Sequence, residues 1–195
     1  MRDIKSREGR DPSFLTVYLN DHLTGSGAGV RLAGRLAKAY RRTGAGPHLT
    51  ELADQIEEDQ QSLRDVMRDL DVPVRRVHEV VGRIGETVGR LKPNGRLVRR
   101  SPLSDVVELE AMLMGVEGKA ACWRALRALA ATDDRLDARG LDRLLARADA
   151  QARMVDDLRR RRAAEVFGAE LTGSGAATST ARTARAGRPS AHRTA

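Results

Sequence analysis

From Ser101 to Thr132, apolar or small residues recur at Val106, Leu109, Leu113, Val116, Ala120 and Trp123. They fall alternately three and four apart, which is the period of one face of an α-helix. About thirty residues at 1.5 Å each make a rod of roughly 45 Å, and a rod with one apolar face needs helical partners. Ser104 stands where an N-cap would, with Glu108 and Glu110 early in the helix. Three other segments carry the same period. Leu15, Leu19, His22, Ser26, Gly29, Ala33, Leu36 and Tyr40 predict a first helix from Ser13, closed by Thr43-Gly44-Ala45-Gly46-Pro47. Leu49, Leu52, Ile56, Asp59, Leu63, Val66 and Leu70 predict a second from Thr50 to Leu70, stopped at Asp71-Val72-Pro73. Leu141, Leu145, Ala148, Ala152, Val155 and Leu158 predict a last helix from Ala138 to Phe167.

The second and third helices are joined by a long connection with its own pattern. Val74, Val77, Val80, Val81, Ile84, Val88 and Leu91 predict a short amphipathic crossover helix, closed at Lys92-Pro93-Asn94-Gly95. It is expected to lie across the outside of the bundle, valines inward and arginines outward. In the first helix the middle of the stripe is small, from Gly25 to Gly29. Each glycine costs about 1 kcal/mol of helix propensity, so the run predicts either a close approach of a neighbouring helix or a break. Reading FLTVYL as a strand and GSGAG as a phosphate-cradling turn fails. Val30 replaces the third glycine of the dinucleotide fingerprint, Gly-Lys-Ser/Thr is missing, and no second parallel strand follows.

The chain thus divides into a charged leader (1–12), a helical bundle (13–168) and an Arg/Ala/Thr-rich tail (169–195) expected to be disordered. Composition agrees with helices: 41% of the 195 residues are hydrophobic but only 3% are aromatic, the apolar supply being mainly Leu, Val and Ala. The single cysteine, Cys122, excludes an intramolecular disulfide and falls where a small buried apolar residue would sit. With no leading basic-plus-apolar signal and no apolar run near the ~18 residues of a bilayer span, a cytoplasmic protein without membrane contact is expected.

The net charge of +8 is local. Arg75, Arg76, Arg83, Arg90, Lys92, Arg96, Arg99 and Arg100 face only Glu79 and Glu86 in sequence, and the tail adds four arginines against Glu170. Such a patch can hold nucleic acid through phosphate contacts. No helix-turn-helix or zinc finger accompanies it and stacking aromatics are scarce, so a solvated basic face ranks ahead of a nucleic-acid site.

Four long helices with one long crossover between the second and third is the order of a ferritin-like bundle. The segments LNDHLTGSGAGVRLAGRLAKAY, LADQIEEDQQSLRDVM and PLSDVVELEAMLMGVEGKAACW resemble uncharacterised bacterial ferritin-like proteins over residues 13–167. The resemblance implies an all-α, up-down four-helix bundle with a short crossover helix between helices 2 and 3. In that superfamily two metals, commonly iron or manganese, sit between the helices, held by a Glu from each of two helices and Glu-x-x-His from each of the others. This chain departs from that set. His22, His48, His78 and His192 follow Leu19, Ala45, Arg75 and Pro189 at three residues' distance, and on helix 2 the nearest equivalents, Glu57 to Gln60 and Glu58 to Gln61, end in an amide.

What remains is a polar layer of His22, Asp59, Glu110 and Glu117, expected to pair with Lys119, Arg124 or other cations and not to hold metal. Trp123, Met112 and Met114 are expected in the core or an interface. No cofactor and no catalytic nucleophile is expected. The sequence therefore points to a non-enzymatic protein with a binding or structural role and no identified partner, with helix faces that permit a homo-oligomer. The alternatives are a di-metal carboxylate protein and a non-specific nucleic-acid-associated basic protein.

Overall fold

The computed structural model describes residues 13–75 and 101–185, with side chains through Ala169 and at Leu171. These residues form four helices, α1 (Phe14–Tyr40), α2 (Gly46–Asp69), α3 (Pro102–Leu129) and α4 (Ala138–Arg185), and contain no strand. Ser13 caps α1, its Oγ accepting from the Thr16 amide at 3.2 Å. α2 begins four residues ahead of Thr50 because Pro47 suits the first turn of a helix and Gly46 fits the tight return from α1. A Cβ at Gly46 would lie 2.9 Å from the Tyr40 carbonyl oxygen. α2 ends in a Schellman motif, with Val72 N donating to Met67 O at 2.8 Å and Asp71 N to Arg68 O at 3.0 Å. Asp71 takes the left-handed position, φ 55°, that glycine usually fills. The cap of α3 falls three residues before the expected one: Ser101 Oγ accepts from Leu103 N at 3.3 Å, Pro102 opens the helix, and Ser104 lies inside it.

α4 continues well past Phe167, into residues expected to be a disordered tail. Ala and Arg are strong helix formers, and no proline interrupts the chain before Pro189. At 1.5 Å per residue the 48 residues of α4 span about 72 Å. Arg162 meets Asp105 in the first turn of α3 at 2.9 Å, so the stretch beyond Gly168 runs past the end of its partner.

Contacts fix the run of each helix. Gly29 lies against Ile56, Ser26 is bonded to Gln60 and Asn20 to Arg75, so α1 and α2 are antiparallel. Arg127 meets Asp142, Lys119 meets Gln151 and Arg162 meets Asp105, so α3 and α4 are antiparallel too. Asp59 with Arg147 and Gln55 with Gln151 set α2 against α4 in opposite senses, which makes α2 and α3 run the same way. The core is the alternating stripes met in the middle: Leu19, Leu36, Leu49, Leu52 and Met67 from the first pair, Leu109, Met112, Val116, Trp123, Leu141 and Val155 from the second. Cys122 is buried. Met112 and Trp123 are buried in this core, and Met114 is exposed.

The glycine run does not break α1, and among the described residues no other backbone comes close to it. α1 spans Phe14–Tyr40, and among the described residues a Cβ on Gly25 would meet nothing within 4 Å. Opposite it, Gly115 and Gly118 of α3 are open in the same way. Small residues of both helices line the cleft between them. The crossover expected from Val77 to Leu91 lies outside the described residues, as do the leader and residues 186–195.

Candidate functional site

Asp59 is the polar centre of the bundle, 3% exposed on the inward stripe of α2. Lys119 Nζ of α3 donates to its Oδ2, and Arg147 of α4 donates through Nη2 to its Oδ1. Gln151, also 3% exposed, sits one turn further along α4. Its Oε1 accepts from Lys119 Nζ at 2.6 Å, and its Nε2 donates to Gln55 Oε1 at 2.9 Å and to Asp59 Oδ2 at 3.4 Å. Arg147 Nη1 extends the cluster to the surface by donating to Glu58 Oε2 at 2.8 Å. Burial pushes the Lys119 ammonium below the ordinary lysine range, Asp59 pulls it back up, and Arg147 adds to the depression. Two cations on one carboxylate, with an amide closing the remaining gap, is how a buried charge is kept in a bundle.

Of the four residues expected in a polar layer, the structure brings one to the interior. Glu110 and Glu117 are exposed, and Glu117 lies 3.9 Å from Arg124 with both side chains in solvent. The reason is register: the inward stripe of α3 runs through Leu109, Met112, Val116 and Trp123, not through Leu113. At 100° per residue, that shift carries Glu117 and Glu110 to about 100° and 120° from Val116, while Lys119 turns toward Met112 and inward. His22 is half-buried and apart from Asp59's partners, its ring packed edge-on against Tyr18 at 4.6 Å between centroids. Burial lowers its pKa and Asp21 opposes the shift. His48 is exposed. Of the basic patch only Arg75 is described; it is exposed, and Arg76, Arg83, Arg90, Lys92, Arg96, Arg99 and Arg100 lie outside the described residues.

These placements do not fit a di-metal centre. Both oxygens of Asp59 are engaged by cations, and among the described residues no three of His, Cys, Asp and Glu gather closely enough to hold a metal ion. Lys119 was within reach of sequence reasoning as a neutralising cation. Arg147 and Gln151 were missed, although both sit on the apolar face of α4 at helical spacing with Ala148 and Val155, where a polar residue needs a buried partner.

Beside the cluster, α1 and α3 part to form a cleft of about 1190 Å³, with Ile56, Asp59, Gln60 and Leu63 of α2 as its floor. It runs from Tyr18 and Cys122 at one end to Arg35, Ser101 and Leu103 at the other. Small residues line much of its walls, Gly25, Ala28 and Gly29 from α1 and Ala111, Gly115 and Gly118 from α3, with Asp21, His22, Arg31 and Arg35 of α1 and Glu108 and Lys119 of α3 also on the lining. Burial in the deep end pushes the Cys122 thiol up to about 12, with the Tyr18 hydroxyl hydrogen-bonded to it. Such a thiol is a packing group and not a nucleophile. Among the described residues no helix is long and apolar enough to cross a membrane. Comparison with known protein families, curated proteins and solved structures gives no match.

Proposed function

We propose that this is a non-enzymatic helical-bundle protein, ferritin-like in helix order, with a binding or structural role. An ion-pair cluster stands where such a bundle would hold its metals. The observation that carries the reading is the double engagement of Asp59 by Lys119 and Arg147 in the bundle interior. A carboxylate whose two oxygens each accept from a cation is already neutralised, and the ammonium and guanidinium beside it repel a metal ion. The ferritin-like order is supported by two antiparallel pairs joined by a long connection, with α2 and α3 running the same way. Within such a bundle the cluster ties three helices together, which suits a scaffold that works through its surfaces.

The test is elemental analysis of the untagged protein expressed with iron, manganese and zinc supplied. The expected outcome is no stoichiometric metal, unchanged in Asp59→Asn. Two equivalents per chain that disappear in Asp59→Asn would instead establish the di-metal carboxylate reading.

A further inference from the structure

Between His22 and Thr50 the chain carries no aspartate or glutamate, yet it carries Arg31, Arg35, Lys38, Arg41 and Arg42. Four of these form a row. At 100° per residue Arg31, Arg35, Lys38 and Arg42 fall within about 60° of one another, on the side of α1 away from Ala33, Leu36 and Tyr40, which are buried in the core. Arg41 stays in the helical conformation, so the row runs on past the last turn of α1 to Arg42. All four residues are exposed, and at 1.5 Å per residue the row is about 16 Å long. Among the described residues one ion pair reaches it, Arg35 with Glu108 at 4.0 Å, while Arg31, Lys38 and Arg42 have none. The segments outside the described residues are each net cationic in sequence, so no surplus of acid there offsets the row.

The arginines of α4 show the other arrangement, a basic face balanced within the protein. There Arg159 pairs with Asp156 at 2.7 Å, and Arg162 pairs with Asp105 and with Glu165, each at 2.9 Å. Cations at a helix C-terminus also complement its dipole, but that effect is confined to the last turn, which holds Lys38 and neither Arg31 nor Arg35. Like charges four apart on a helix, as Arg31 with Arg35 and Lys38 with Arg42, repel one another. An anionic partner laid along the row would relieve that repulsion.

We infer that the row Arg31, Arg35, Lys38 and Arg42 on the outer face of α1 docks the phosphate backbone of double-stranded DNA, without regard to base sequence. The inference rests on the binding role proposed above and names its partner. A duplex presents one phosphate per about 3.4 Å of axis on each strand, so the row spans about five phosphates of one strand. Backbone docking needs cations at a suitable pitch and no recognition helix. Three of the four are arginines, whose planar fork meets a phosphate with two hydrogen bonds. The exposed positions between them, Gly34 and Ala39, carry nothing that could stack on an unpaired base, read a ribose 2′-hydroxyl or anchor in a lipid surface. They leave the row bare for a duplex to approach.

The experiment titrates the full chain against a labelled, mixed-sequence DNA duplex of about 20 base pairs and follows the binding constant from about 50 to about 200 mM salt. Because the chain has other basic stretches, the readout is the difference between variants. Arg31→Gln, Arg35→Gln, Lys38→Gln and Arg42→Gln together should reduce the steepness of log K against log salt by about 3 to 4, at about 0.9 per lost phosphate contact. Binding at the low-salt end should weaken at least about tenfold. Arg124→Gln, Arg139→Gln, Arg143→Gln and Arg153→Gln remove the same charge from exposed sites on α3 and α4, and should change the slope by less than about one. Arg31→Lys, Arg35→Lys and Arg42→Lys together should keep the parent slope. Should the fourfold change on α1 unfold the protein by circular dichroism, Arg31→Gln with Lys38→Gln should give about half the loss. No binding by the parent at low salt, a slope that the α1 variant leaves unchanged, or equal losses in the two charge-removing variants would overturn the inference. Tighter binding to phosphatidylserine vesicles or to an RNA duplex than to DNA would overturn it in favour of that partner. None of these results alters the metal content, which tests the reading beneath it.

Discussion

Asp59 shows how one buried carboxylate sets the chemistry of its surroundings: each of its oxygens has a cation, so Lys119 and Arg147 are held in place against it. His22 is the contrasting case. It is half-buried, with no hydrogen bond or ion pair among the described residues, and burial holds its pKa below the ordinary 6.5. As pH falls below that value the unfolded chain takes up a proton that the folded chain resists, so stability should fall with falling pH in this window. The loss should be absent above it. Replacing His22 with Gln should reduce the drop in denaturation free energy between about pH 7 and about pH 5.5. An identical drop in parent and variant would show that the imidazole is not desolvated.

Helix ends decide how the elements meet. Asp71 closes α2 in the left-handed conformation, where an L-residue is strained by roughly 1 kcal/mol relative to glycine. Its 3.4 Å approach to Arg135 is on the surface and contributes little. Asp71→Gly is thus expected to raise the melting temperature by a few degrees, corresponding to about 0.5–1 kcal/mol. A lowered melting temperature would mean that the ion pair outweighs the strain.

At this scale the sequence was largely legible, because Leu19, Leu36, Leu52, Ile56 and Leu63 repeat at the period of a single buried face. On α3 the same period forks between Met112 and Leu113, a 100° difference that spacing cannot resolve. That choice moved Glu110 and Glu117 into an expected polar layer which the structure places in solvent. The glycine run was read as a close approach of a neighbouring helix or a break; α1 is unbroken, and among the described residues the run faces the cleft lined by Gly115 and Gly118. Arg147 and Gln151 escaped notice because a search for metal ligands passes over guanidinium and amide groups, although these are the partners a buried carboxylate requires.

For the whole molecule, the cluster is where α2, α3 and α4 are locked in register, since Asp59, Lys119, Gln151 and Arg147 come from all three. The apolar stripes alone would tolerate sliding by a turn, whereas a charge placed against the wrong neighbour costs several kcal/mol. A thermodynamic cycle at Asp59 and Lys119 tests this claim most directly. Asp59→Leu alone should cost about 3 kcal/mol, toward the lower end for a broken buried pair because Lys119 and Arg147 keep some access to water. Joining it to Lys119→Met should recover at least about 1 kcal/mol of that loss, since the stranded ammonium is removed and Arg147 can turn toward Glu58. Recovery in the double variant is the predicted result; losses that simply add, with no coupling between the two positions, would contradict the account.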